Sequence, residues 1–468
     1  MSNLSLSFIF ASFLCLPLLA AEKTVPPNIV VFISDDHSML DSEPYGATDI
    51  RTPNMVKLAA EGVKFTHAFV ASPACGPSRT TLCTGLWPAR NGAEPNHKAK
   101  IPGVPSLPPV LHALGYEVAA FGKVAHGNYG KDHGFDVLGG QQQGDSDTVE
   151  VAKFLNTRDA SKPLCLFFGT RHPHVPWGEN AGYDVAALKL PPKHVDTAAT
   201  REQRARYCSD ITRADTLLGE LRALAKDKVP GDTLFIYTAD HGGQWPFGKW
   251  NLYDAGIRIP FIAAWPGHLP PASTNDAMIA WPDLLPTFIE LGGGTVPEGI
   301  DGKSFAGVLL GKVTTHREKI FTTHSGDGDF NVYPIRSVRT RDWKYIRNLH
   351  PEFQHHTHIS RSSKVTSGFN YWQSWLSAAE SNTEAAAKVK RYSVRPAEEL
   401  YDLKSDPNEL HNLAAEPAQA ERLQQLREDV DAWMQQQGDK QTVFGKPLLI
   451  GEPVTMVDPG ADKKKKSK

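Results

Sequence analysis

"PNIVVFISDDH", residues 27–37, is the stretch that sets the fold. From Ile29 to Ile33 it is apolar on both alternating faces, the pattern of a strand covered on both sides of a sheet. It then stops on two adjacent aspartates, Asp35 and Asp36. "PLCLFFGT" (163–170), "DTLFIYTAD" (232–240) and "IPFIAAW" (259–265) repeat the apolar run. Between them lie helix-like segments: "PNMVKLAAEGV" (53–63), "PPVLHALGY" (108–116) and "REQRARYCSDITRADTLLGELRALAKD" (201–227). In the last of these Ile211, Leu217, Leu218, Leu221 and Leu224 fall near helical spacing and read as core. The class is α/β, with a large, mostly parallel central sheet flanked by helices.

Working outward, this texture holds to about residue 311. Beyond it, "IRSVRTRDWKYIRNL" (335–349) alternates like exposed antiparallel strands, and "AEPAQAERLQQLREDVDAWMQQQ" (415–437) reads as a closing amphipathic helix. The expected division is a catalytic α/β domain over 22–311, a smaller C-terminal α+β subdomain with a short antiparallel sheet over 312–445, and a tail over 446–468. The tail ends in the basic, solvated "GADKKKKSK". At the other end, the apolar run before Ala20 and Ala21 reads as a secretory signal peptide over 1–21, although its first residues include no Lys or Arg. Export to a periplasmic, extracellular or lysosome-like compartment, without stable membrane insertion after cleavage, follows from that reading. With 468 residues, 40% of them hydrophobic and a formal net charge of −2, the chain can bury a large core. It has no global basic excess for nucleic-acid binding.

Open parallel sheets bind ligands beyond the carboxyl ends of their strands, so the polar residues after each run matter most. Asp35 and Asp36 follow the first run, "RHPHVPW" (171–177) the second, and Asp240 with His241 the third. Each pair alone is ordinary turn or cap chemistry. Together the three carboxylates offer a hard-cation site for Ca²⁺, or less favourably Mg²⁺. Cys75 stands apart, opening a Pro-Ser-Arg turn in "ASPACGPSRTTLCTG" (71–85), while Cys83, Cys165 and Cys208 read as buried small hydrophobes.

"CGPSR" followed by "TTLCTG" resembles the signature of the type I sulfatases, in which this cysteine is oxidised to formylglycine. The resemblance extends through "TPNMVKLAAEGVKFTHAFVASPACGPSR" (52–79), "GKVAHG" (122–127), "RHPHVPW", "FIYTADHG" (235–242) and "AEELYDLKSDPNELHNLA" (397–414). It implies an alkaline-phosphatase-like fold and one Ca²⁺ held by Asp35, Asp36, residue 75, Asp240 and His241. It also places Arg79, Lys123, His126, His174 and Lys249 around the sulfate. A formylglycine-generating or anaerobic sulfatase-maturating enzyme is the implied maturation partner, and a sulfated carbohydrate the implied substrate. In the family's mechanism the hydrated aldehyde attacks sulfur, His174 protonates the leaving group and His126 releases the sulfate by elimination.

Two features depart from the common pattern. His241 stands where the family often has Asn, and Lys123-Val-Ala-His126 is one residue longer than K-x-H. That spacing and "PHVPW" are similar to the iduronate-2-sulfatase-like branch, whereas "GKWNLYDAG" (248–256) and "YPIRSVRTRDWKYIRNL" (333–349) resemble the heparan N-sulfatases. Trp177, Trp245, Trp250, His324 and Arg336 are candidates for sugar stacking and acid recognition. The competing readings are a phosphomonoester or phosphonate hydrolase on the same scaffold, against which the cysteine argues, a non-catalytic glycan-binding homologue, and a transferase.

Overall fold

In the computed structural model, which describes residues 26–126, 130–140, 147–364 and 368–458, the apolar runs form the middle of a nine-stranded sheet. The signal peptide read at 1–21 and the lysine-rich end of the tail lie outside the described residues. The strands of the large sheet are β1 (Asn28–Ser34), β2 (Val63–Phe69), β3 (Glu117–Gly122), β4 (Val137–Gly139), β5 (Leu164–Gly169), β6 (Thr233–Ala239), β7 (Arg258–Ala264), β8 (Ser273–Asn275) and β9 (Ile279–Ala280). Their spatial order is β4-β3-β5-β1-β6-β7-β2-β8, with β9 also beside β2. β1 pairs in parallel with both β5 and β6, and only β7 runs against its neighbours. The parallel strands therefore end together, so Asp35, Thr170 and Asp240 emerge on one edge. The backbone N–H of Asp240 donates to Ser34 O at 3.1 Å and that of Thr170 to Ile33 O at 3.0 Å.

Each face of this sheet carries its own apolar layer. Ile29, Val31 and Ile33 point into one, Val30 and Phe32 into the other, which is why β1 shows no polar alternation. The long helix Ala198–Lys228 covers the second layer with Leu218 and Leu221, and Leu217 and Leu224 pack at its margin. Its N-terminus is capped by Thr197, whose side chain accepts from the Thr200 N–H.

A four-stranded antiparallel sheet, β10 (Ile320–His324), β11 (Ile335–Arg339), β12 (Trp343–Asn348) and β13 (Glu398–Asp402), stands beside the large one. The antiparallel pairing agrees with the sequence reading, but the exposure does not: all five residues of β11 are buried. Its two arginines, and Lys344 on the neighbouring β12, are consumed by ion pairs instead of water. Arg336 pairs with Asp439, Arg339 with Asp254, and Lys344, with no exposed surface, with Asp254 and Glu409. The helix Ala420–Gln437 packs on β11 and β12 through its apolar face. No helix among the described residues is long and apolar enough to cross a membrane.

Candidate active site

The Pro-Ser-Arg segment is not an isolated turn: it is the first turn of the helix Cys75–Thr84, all ten residues of which are buried. Pro77 is tolerated there because the first N–H groups of a helix have no intrahelical acceptor. Cys75 is the first helical residue, where unpaired N–H groups favour negative charge. Arg79, one turn on, falls on the same face. Its Nε donates to Asp240 Oδ2 at 2.9 Å and its Nη2 to Asp35 Oδ1 at 3.2 Å, while Nη1 reaches the carbonyls of Lys123 and Val124. One guanidinium thus ties together the ends of β1, β3 and β6. Ser78 adds a 2.6 Å hydrogen bond to the Asp240 carbonyl.

Asp35, Asp36, Cys75 and His241 bring their ligand atoms within 4.8 Å of one another, all four residues being buried. Cys75 Sγ lies 3.5 Å from Asp35 Oδ1, 3.3 Å from His241 Nε2 and 3.5 Å from Lys123 Nζ. Asp240 stands beside this group with its oxygens engaged by the Asp36 N–H at 3.0 Å and by Arg79. Lys249 Nζ sits on both oxygens of Asp36, at 2.8 and 3.0 Å, and Lys123 on Asp35. Asp36 takes φ of 69°, a left-handed conformation uncommon outside glycine.

The electrostatics suit a bound cation. Burial and the Asp35 carboxylate oppose ionisation of Cys75, but Lys123, Lys249 and His241 outweigh them and hold the thiol well below its ordinary value. Burial likewise opposes charge on Asp35, yet Lys123, His174 and Arg79 keep it well below the usual carboxylate range. Asp240 goes the other way, pushed up by burial. His241 is pushed up to about 9 by Asp240 and Cys75, against burial. The acids therefore draw a proton onto an imidazole whose Nδ1 donates to the Gly242 carbonyl at 3.0 Å, leaving Nε2 facing Cys75. A metal ion satisfies the same demand without that proton, so the donor set of carboxylate oxygens, one imidazole and residue 75 fits a hard cation.

Of the remaining expected residues, His126 feels the charge of Cys75, which raises its basicity, while burial lowers it more. His174 donates Nδ1–H to the Val175 carbonyl at 2.5 Å, and burial pushes it down to about 4, so it is neutral without substrate. A cavity of about 500 Å³ opens beside it, lined by Arg171, His172, Asp210 and Arg213 among others. The five residues considered for sugar contacts are all buried among the protein's own side chains. Trp177 and Trp245 stack with ring centres 4.8 Å apart, and His324 bonds Asn331 at 2.7 Å. Arg336 is fully buried on Asp439, and Trp250 donates to Asp327 at 2.7 Å. What the sequence did not disclose is a group on the other side of His126: His97, Asn96 and Asp327.

With this geometry in place, the comparisons give the family. Residues 27–294 match the family described as sulfatase. The chain is also 32% identical over 437 residues, 90% of this chain and 83% of the relative, to an ulvan-active sulfatase of Formosa agariphila. The chain belongs to the sulfatase family. Within it, residues 241–357 match the family described as the C-terminal part of N-sulphoglucosamine sulphohydrolase. The human N-sulphoglucosamine sulphohydrolase is 27% identical over 463 residues, covering 87% of this chain and 90% of that protein. Among solved structures, one described as a complex with its substrate D-glucosamine-2-N,6-O-disulfate superposes with a TM-score of 0.67 at 20% identity, covering 89% of this chain and 99% of that one. A phosphonate monoester hydrolase from Silicibacter pomeroyi gives 0.66 at 18% identity, covering 89% and 96%. These two structures share the alkaline-phosphatase-like fold with the chain.

Proposed function

We propose that this protein is an exported sulfatase that removes an O- or N-linked sulfate from a sulfated sugar, using a formylglycine made from Cys75. The observation that carries the reading is the position of Cys75: first in a buried helix, within 3.5 Å of Asp35, His241 and Lys123. Sulfated saccharides are also what the related ulvan-active and N-sulphoglucosamine enzymes are named for.

Asp35, Asp36, residue 75, Asp240 and His241 would hold Ca²⁺, which supplies Lewis-acid charge to the nucleophile and to the sulfuryl oxygens. The aldehyde made by oxidation of residue 75 would supply, as its hydrate, a nucleophilic hydroxyl and a second hydroxyl able to give up a proton. Arg79 fixes this residue relative to the three strand ends. Lys123 and Lys249, which stand on Asp35 and Asp36, would turn their charge to the sulfuryl oxygens. His174 is neutral at rest; the anionic substrate beside it favours its protonated form, which then donates to the departing oxygen or nitrogen. His126 takes the proton from the second hydroxyl.

Sulfate release from O- and N-sulfated glucosamine and uronate sugars, measured beside matched phosphate and phosphonate esters, tests the reading. Sulfate release exceeding phosphate release is expected. A preference for the phosphorus esters would assign the chain to the other chemistry of this fold.

A further inference from the structure

We propose that His97 and Asp327 are positioning residues that hold the His126 ring, through a relay of polar contacts, in the orientation needed to act on residue 75. The inference rests on the reading of His126 as the base in sulfate release. Its own content concerns two residues outside the expected site, contributed by parts of the chain some 230 residues apart; Asn96, next to His97, bonds Asp327 at a separation of 231.

The geometry is sequential. His126 Nε2 lies 2.7 Å from His97 Nδ1, and His97 Nε2 lies 3.3 Å from Asp327 Oδ1. Asp327 is buried, and although burial opposes its charge, His358, His97 and Asn96 hold it well below the usual carboxylate range. Asn96 Nδ2 also lies 3.3 Å from His97 Nε2, so two groups hold that nitrogen while His97 Nδ1 is the hydrogen-bond partner of His126 Nε2. The partner of one imidazole nitrogen thereby sets what the other presents.

The relay is anchored to the nucleophile. Asn96 Nδ2 donates to Asp327 at 2.9 Å, and its Oδ1 accepts the N–H of Gly76 at 2.9 Å. Trp250, next to Lys249, donates Nε1–H to the same Asp327 oxygen at 2.7 Å, and His358 stacks on its ring. Both His97 and Trp250 have left-handed backbone, φ of 62° and 65°. Neither is glycine, and such conformations persist where surrounding contacts over-determine them. His97 is 61% exposed in its side chain, so no core requires it.

The test uses the full chain with equal maturation of residue 75 in every preparation, and sulfate release from N-sulfoglucosamine and 4-nitrophenyl sulfate. His97→Ala is expected to lower kcat roughly 10- to 100-fold, the usual cost of losing an orienting partner, with KM within about threefold. His97→Asn tolerates the left-handed backbone and offers a hydrogen-bonding amide in place of Nδ1. It is expected to return kcat to within about fivefold of the parent. His97→Ala added to His126→Ala should cost nothing further, since the two act as one unit. A wild-type kcat in His97→Ala, beside a silent His126→Ala, overturns the relay and leaves the base intact. Equal loss in the Ala and Asn variants also overturns it. A parent chain that releases no sulfate, or a fully active His126→Ala, overturns the sulfatase reading and the relay together.

Discussion

Asp35, Asp36, Asp240 and His241 leave the large sheet within two residues of a strand end, whereas His97, Asp327 and His358 sit in turns, bridges and a single-turn helix. The first wall is rigid because parallel pairing fixes where its strands stop, and Arg79 ties those ends together. The second wall is built by mutual hydrogen bonding, with Asp327 as its hub. Chemistry that must hold charge is on the first; on our reading, chemistry that must move a proton is on the second. The difference suggests that damage to the first wall abolishes turnover, while damage to the second lowers it by degrees.

The sharpest break is Cys75→Ala, expected to cost at least about 10⁴-fold in kcat, on the scale of losing a nucleophile. Sulfate release checks it, beside circular dichroism showing that the variant is folded. Removing metal with EGTA should act on the same wall from the other side, suppressing activity and lowering the melting temperature. Calcium should restore both, with stabilisation of about 3 to 4 kcal/mol at saturating concentration. Lys249→Ala, which takes one cation from Asp36, should lower kcat roughly 10²- to 10³-fold. Its KM for N-sulfoglucosamine separates lost binding from lost transition-state stabilisation.

Lys344→Ala sharpens the comparison away from both walls. Its fully buried ammonium bridges Asp254 and Glu409; Arg339 stays on Asp254 and Lys193 on Glu409, so its loss strips one shared cation from two buried carboxylates at roughly 3 kcal/mol. Chemical denaturation should record that cost while kcat per folded molecule stays within about twofold of the parent. Smallest of all, Glu202→Ala removes the exposed pair with Arg206 on the long helix and should shift stability by only about 0.3 to 0.5 kcal/mol.

The first wall was legible because its signal is local: an apolar run followed at once by acid, seen at Ile33 to Asp36 and again at Ala239 to His241. The helical setting of Cys75 was not, since Gly76 and Pro77 suppress helix propensity and only burial of the whole segment overrides them. β11 was misread as exposed because Arg336 and Arg339 carry charge, and nothing local reveals that Asp439 and Asp254 wait across the fold. For the same reason the His97–Asp327 pair was invisible: a partner 230 residues away leaves no mark on periodicity.

The most direct test of the central claim is the mass of the peptide carrying residue 75, from chain produced with a formylglycine-generating enzyme. The account predicts the deficit that comes from exchanging the thiol for an aldehyde, or that mass plus one water. An unmodified thiol at position 75, in a host that matures a control sulfatase, would contradict it.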